Sequence, residues 1–138
     1  MKGIELFHDY GHNPVEMSHA VEIARKRCTG GRLWAVVQPH TYTRVESLFE
    51  DYLSCTREAD VTLVTDIYGA REVDTRGVSS EMLVEGMKAR GVNAILTPTF
   101  DDAARVILED AKAGDLVITL GCGNIYLLNE LLEEKGRS

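Results

Sequence analysis

Leu33-Trp34-Ala35-Val36-Val37 decides how this chain is built, because five apolar residues in succession leave neither face of a strand polar. Such a strand belongs inside a parallel sheet covered by helices on both sides. Upstream, Ile4-Glu5-Leu6-Phe7 alternates as a strand does, and Met17, Ala20, Val21, Ala24 and Cys28 recur at helical spacing on one face. Pro14 suits the first turn of that helix, where its missing N–H has no intrahelical partner, and Asn13 caps it. Downstream, Val45, Leu48, Phe49 and Tyr52 mark the apolar side of one helix, and Val61-Thr62-Leu63-Val64 reads as a strand. Residues 66–77 read as a long exposed loop.

Ser79 or Ser80 is expected to cap a helix that turns Met82, Leu83, Gly86 and Met87 inward. Ala94-Ile95-Leu96-Thr97 reads as another strand. Asp101 or Asp102 is expected to cap the helix carrying Ala103, Ala104, Ile107, Leu108 and Ala111, with Gly114 ending it. Leu116-Val117-Ile118-Thr119-Leu120 is the last strand, and Gly121-Cys122-Gly123-Asn124 leads into a helix carrying Leu128, Leu131 and Leu132. Strand and helix alternate to the end, which predicts an α/β, doubly wound, mainly parallel sheet in a single domain. At 138 residues, 44% hydrophobic and 27% charged, the chain can bury roughly two thirds of its unfolded surface.

A net charge of -7, with no basic stripe beyond Arg25-Lys26-Arg27, argues against a nucleic-acid partner. No apolar run approaches the ~18 residues of a membrane span and no signal-peptide pattern opens the chain, so the expectation is a cytoplasmic protein without a membrane partner. Cys28, Cys55 and Cys122 form no CxxC pair and read as reduced thiols.

Ligands of such sheets sit outside the carboxyl ends of the strands. The residues that follow each strand are therefore the candidates: Asp9, Tyr10 and His12, then Gln38, His40, Tyr42 and Arg44, then Asp66 and Tyr68, then Pro98 and Thr99, then Gly121, Gly123 and Asn124. Asp9 suits two readings, a carboxylate accepting the two hydroxyls of a ribose or an aspartate bracing its own loop. His12 either meets a ligand or packs as an ordinary loop histidine. His40 and Arg44 fall near one spot if a helix starts by about Thr43, and Arg is the natural fork for a carboxylate or phosphate. The plain alternative is a solvated arginine, mildly disfavoured there by the helix dipole. Gly121-Cys122-Gly123-Asn124 offers free N–H groups to an anion, or else simply permits close packing. Cys122 as a nucleophile would need a neighbouring base and a depressed pKa. Nowhere does a GxxxxGK[ST] phosphate loop occur, so an ATP-driven activity needs another domain.

Taken together, Asp9-Tyr10-Gly11-His12-Asn13-Pro14, Gln38-Pro39-His40-Thr41-Tyr42-Thr43-Arg44, Thr65-Asp66-Ile67-Tyr68, Gly77-Val78-Ser79-Ser80 and Gly121-Cys122-Gly123-Asn124-Ile125 resemble the carboxy-terminal domain of the Mur ligases. The likeness spans nearly the whole chain in order and is strongest to the branch that joins L-alanine to UDP-N-acetylmuramate. It implies a Rossmann-like third domain, residues 1–138, of an ATP-dependent amide-forming enzyme. That enzyme's amino-terminal UDP-sugar domain and central ATPase domain have no counterpart in these residues. In the family, ATP converts the lactyl carboxylate to an acyl phosphate, which the alanine amine attacks. ATP and Mg2+ are thus implied, held mainly by the central domain, with UDP-N-acetylmuramate, L-alanine and the two other domains as partners. The resemblance gives Asp9, Tyr10 and His12 to the nucleotide side, and His12, His40, Arg44, Gly121, Gly123 and Asn124 to the substrate side. It also implies that these residues alone are inactive and hold no catalytic or metal-binding group of their own. Asn13 stands where histidine is common in the family, and Thr41 where arginine is usual. The remaining readings are a related UDP-muramoyl-peptide ligase, a folylpolyglutamate ligase, or a stand-alone module for a nucleotide or phosphosugar.

Overall fold

Residues 33–37 form a strand, β2 (Leu33–Val37), buried along its whole length because helices cover both of its faces. The computed structural model describes residues 3–11, 13–69 and 77–136. Around β2 lie β1 (Glu5–Asp9), β3 (Val61–Val64), β4 (Ala94–Leu96) and β5 (Leu116–Leu120), in the order β1-β5-β2-β3-β4, with every neighbouring pair parallel. The helices are α1 (Pro14–Arg27), α2 (Tyr42–Ser47), α3 (Phe49–Tyr52), α4 (Ser80–Ala89), α5 (Phe100–Asp110) and α6 (Tyr126–Gly136).

Alternation along each strand divides the apolar residues between two cores. Leu33, Ala35 and Val37, with Leu116, Ile118 and Leu120, meet Met17, Ala20, Val21 and Ala24 of α1 and Leu83, Val84 and Met87 of α4. On the opposite face, Trp34, Val36, Val61, Leu63 and Val117 pack on Ala103, Ala104 and Ile107 of α5 and Leu128 and Leu132 of α6. This is the doubly wound α/β sheet that the alternating elements predict.

Carboxylates stitch the amino-terminal edge of the sheet. Asp115 accepts from the N–H groups of Arg32 (2.9 Å) and Lys112 (3.0 Å) and from the Trp34 indole (3.0 Å). Asp60 accepts from the N–H of Leu33 at 2.7 Å and from Arg25 at 2.8 Å. In both cases burial pushes the carboxyl upward and the donors more than reverse it, so each ends below the usual carboxylate range.

Several local expectations need correction. Val45 to Tyr52 is two short helices, not one, because the chain leaves helical geometry at Leu48 (φ -115°, ψ 21°). Met82 points outward, and α4 buries Val84 beside Leu83 and Met87. The cap of α5 is Thr99, whose hydroxyl accepts from the N–H of Asp102 while the Asp102 carboxylate accepts from the N–H of Thr99. That helix ends at Asp110 with Ala111 as its cap, and Gly114 instead makes the turn into β5 at φ 96°. Leu108 is half-exposed. Thr97 lies just beyond β4, and Ser79 is the cap of α4. Within the 66–77 loop, residues 70–76 lie outside the described residues. Cys28, Cys55 and Cys122 are free thiols.

Candidate functional site

Because all five strands run the same way, their carboxyl ends share one edge, and backbone hydrogen bonds continue the ladder into the loops. Gly121 N–H donates to the Asp9 carbonyl at 3.0 Å, Gln38 to Leu120 at 2.9 Å, Thr65 to Val37 at 3.0 Å, Thr97 to Val64 at 2.9 Å and Asp66 to Pro98 at 3.1 Å. The candidate loops are therefore registered against one another before any side chain contributes.

The best-defined cluster lies over β5, β2 and β3. Thr41 caps α2 with its hydroxyl on the N–H of Arg44 (3.2 Å), which starts the helix early enough to bring Arg44 back over His40. Arg44 Nη1 stands 3.0 Å from His40 Nδ1. The His40 ring stacks on Tyr68, with centroids 5.6 Å apart and planes 19° from parallel. The backbone holds that stack: Tyr68 N–H donates to the Pro39 carbonyl and Thr41 N–H to the Tyr68 carbonyl, each at 2.8 Å. Thr41 takes φ 61° to make this bracket, a conformation that a side chain tolerates only where its surroundings enforce it. Beneath lies the fully buried Tyr52, whose phenol burial pushes up to about 12 against the opposing pull of the His40 backbone.

Gln38 joins this cluster to the glycine turn. Its side chain is buried and donates from Nε2 to Asn124 Oδ1 at 2.8 Å. A Cβ on Gly123 would come within 2.7 Å of Gln38 Oε1 and 2.8 Å of the Tyr68 ring, so the turn needs a residue without a side chain there. Gly121, at φ 155°, occupies backbone space that is essentially glycine's alone. Gln38, Thr65, Asp66, Tyr68, Pro98, Thr99 and Asn124 line a cleft of ≈ 330 Å³ between these loops and the start of α5.

Asp9 and Tyr10 lie further along the edge, two strands from Gln38, which at strand spacing is roughly 10 Å. Asp9 Oδ1 accepts from the N–H of Gly11 at 2.7 Å, so the loop-bracing role is present, and its other oxygen is not engaged in that bond. Tyr10 is 63% exposed. Together with Gly11, Glu16, His19, Ala20 and Ile23 they border an open groove of ≈ 500 Å³. His12 lies outside the described residues. The structure thus gathers His40, Arg44, Gly121, Gly123 and Asn124 into one cluster and sets Asp9 and Tyr10 in a second groove on the same edge.

Two members were not singled out as site residues from the sequence. Tyr68 supplies the face on which His40 lies, and Gln38 the clamp on Asn124. Both stood in the list of residues following strands, which was the available signal.

The family model for the Mur ligase, glutamate ligase domain matches residues 1–123. The chain belongs to that family. This Mur ligase domain is 43% identical over 124 residues to the UDP-N-acetylmuramate--L-alanine ligase of Bradyrhizobium sp. (strain BTAi1 / ATCC BAA-1182), which covers 89% of the chain and 26% of the relative. The domain thus spans about a quarter of the length of such relatives. Its fold matches that of the UDP-N-acetylmuramate-alanine ligase of Thermotoga maritima, with a TM-score of 0.77 at 19% identity, over 97% of this chain and 27% of that one. It also matches the E. coli FolC protein solved in complex with ADP, with a TM-score of 0.67 at 17% identity, over 100% of this chain and 31% of that one.

Proposed function

We propose that residues 1–138 are the third, closing domain of an ATP-dependent ligase that forms an amide between L-alanine and UDP-N-acetylmuramate. The single observation that carries this reading is the His40, Arg44 and Tyr68 cluster against the Gly121 to Asn124 turn. It sets donor groups for a small carboxylate at the strand-end edge of a Mur ligase domain. The name of the 43% identical relative supports alanine as the amino acid.

In this reading Arg44 and His40 hold the alanine carboxylate, and the Gly121, Gly123 and Asn124 turn forms the wall of that subsite. Asp9 accepts from the ATP ribose, and Tyr10 and His12 are assigned to the same nucleotide side. The Asp9 groove fits that part of ATP, since a half-buried carboxylate stands beside an exposed aromatic ring at its rim. Among the described residues no three His, Cys, Asp or Glu side chains gather as a metal site, and no magnesium ligand is assigned to this domain. The triphosphate and its ion fall to the central domain, which holds the phosphate loop in the family. When the third domain closes on the other two, its edge excludes water from the acyl phosphate and orients the amine for attack.

The test is phosphate release. The 138-residue chain is expected to release none from ATP in the presence of UDP-N-acetylmuramate and alanine, and release by this chain alone would refute the proposal. In a full-length ligase carrying this domain, Asp9→Ala is expected to raise KM for ATP roughly tenfold, the loss of about 1.4 kcal/mol of contact, and to leave KM for alanine within about twofold.

A further inference from the structure

We propose that His8 is a positioning residue of the nucleotide side: it seats the Tyr10 ring at the rim of the Asp9 groove and touches no ligand itself. Tyr10 follows β1 directly and borders the ≈ 500 Å³ groove that Asp9 and Gly11 also line. Its ring meets the His8 ring edge to face, with centroids 4.3 Å apart and planes at 85°. The His8 ring also lies against Tyr126, the first residue of α6, at 6.4 Å and 67°.

What keeps His8 in place is a run of hydrogen bonds whose direction is set at one end. The Phe7 carbonyl only accepts, so Asn129 turns Nδ2 toward it at 3.0 Å and Oδ1 toward Thr119. Thr119 Oγ1 stands 2.7 Å from that amide oxygen and gives it the hydroxyl proton, the Phe7 carbonyl being farther away at 3.3 Å. A lone pair of Thr119 is left to accept from His8 Nδ1 at 2.8 Å. A half-turn of the imidazole in its own plane would face Thr119 with a carbon in place of Nδ1 and break the run. Nε2 is buried, so the ring presents no polar atom to the groove. Strands β1 and β5 and helix α6 thus all contribute to the seat of one ring.

The loop beyond β1 has two ties, the Asp9 carboxylate on the Gly11 N–H at 2.7 Å and the Tyr10 ring on His8. The first shapes the backbone and the second aims the side chain. An edge contact occupies at most one face of the exposed Tyr10 ring, and the other remains for a planar heteroaromatic group of the ligand. That this group is the base of ATP rests on the ligase reading given above; the tie between His8 and Tyr10 does not.

The test has two parts. In NMR of the ligand-free chain, with Tyr10 assigned by its loss in Tyr10→Leu, a nuclear Overhauser contact is expected between the His8 and Tyr10 rings. The Tyr10 ring protons are expected to move toward the shifts of an unstructured tyrosine in His8→Leu, and part of the way in Thr119→Val. No contact between the rings, or unmoved Tyr10 signals in folded His8→Leu, would overturn the proposal. Should His8→Leu fail to fold, Thr119→Val and the wild-type contact decide. In a full-length ligase carrying this domain, His8→Leu and Tyr10→Leu are each expected to raise KM for ATP roughly fivefold, with KM for alanine within about twofold. The double variant is expected to be no worse than Tyr10→Leu alone, since His8 acts through Tyr10. Effects that multiply in the double variant would overturn the proposal. An unchanged KM for ATP in Tyr10→Leu would overturn the nucleotide reading of the groove rather than the seating of the ring, which the NMR measurement decides on its own.

Discussion

Asp115 shows how much a single buried carboxylate can organise in this sheet. Its two oxygens receive the N–H groups of Arg32 and Lys112 and the indole of Trp34, and the Arg32 guanidinium stands 3.8 Å away. Removing the acceptor strands three donors at the amino edge of β2 and β5. Asp115→Ala is therefore expected to cost about 3 kcal/mol, read as a lower midpoint in urea unfolding. A change of less than about 0.5 kcal/mol would contradict this account of the edge. His8 makes a second claim at the same scale. Its Nδ1 lies 2.8 Å from Thr119 Oγ1, Thr119 donates onward to Asn129 Oδ1 at 2.7 Å, and Asn129 Nδ2 reaches the Phe7 carbonyl at 3.0 Å. In this chain of donors His8 gives its Nδ1 proton to Thr119, and Nε2 is left buried without a partner. Burial lowers its pKa below the ordinary 6.5, the charge on Asp9 opposing only in part. The unfolded chain then binds more protons in the window between the folded value and 6.5. The contribution of His8 is fully present above that window and is lost as pH falls through it. Urea midpoints measured on both sides of the window are expected to fall less on acidification in His8→Gln than in the wild type, and equal slopes would contradict the assignment.

At the scale of elements, caps account for where helices begin. Thr99 and Asp102 satisfy each other's backbone N–H groups at the start of α5, so Thr99→Ala is expected to cost about 1 kcal/mol in the same unfolding measurement. Asp101→Ala, outside that box, is expected to cost less than about half as much. The start and the buried face of α1 are legible in the sequence because Asn13, Pro14 and one continuous apolar face agree, and Asn13 Oδ1 does accept from the N–H of Glu16 at 3.0 Å, while Cys28 lies one residue past the helix as its cap. At α5 the pair Asp101-Asp102 drew the cap two or three residues too late, since Thr99 with an acid three positions on carries the box. The break at Leu48 had no local sign: no Gly or Pro interrupts the stretch, and the apolar spacing runs through it. Met82 was misplaced for a related reason, because a helix of ten residues gives its apolar stripe little length over which to declare its angle. The loops that bear the site were legible as strand ends. Which loops meet was not, because β5 inserts between β1 and β2, and the Gln38 to Asn124 and His40 to Tyr68 pairs depend on that order.

For the molecule as a whole, the parallel sheet separates two tasks between its two edges. Asp60 and Asp115 hold the amino edge, while the carboxyl edge carries glycines, a strained Thr41 and the His40 and Arg44 pair. Among the described residues no helix is long and apolar enough to cross a membrane. The carboxyl edge has two stations, the Asp9 groove and the His40 cluster, and in the proposed ligase the nucleotide belongs to the first and the amino acid to the second. A ligase that splits its ligands in this way has to respond separately to damage at each station. The most direct measurement is steady-state phosphate release by a full-length ligase carrying this domain, with Arg44→Ala compared with wild type at varied alanine and varied ATP. KM for alanine is expected to rise roughly tenfold or more, with KM for ATP within about twofold. An unchanged KM for alanine, or an effect that falls on ATP instead, would contradict it.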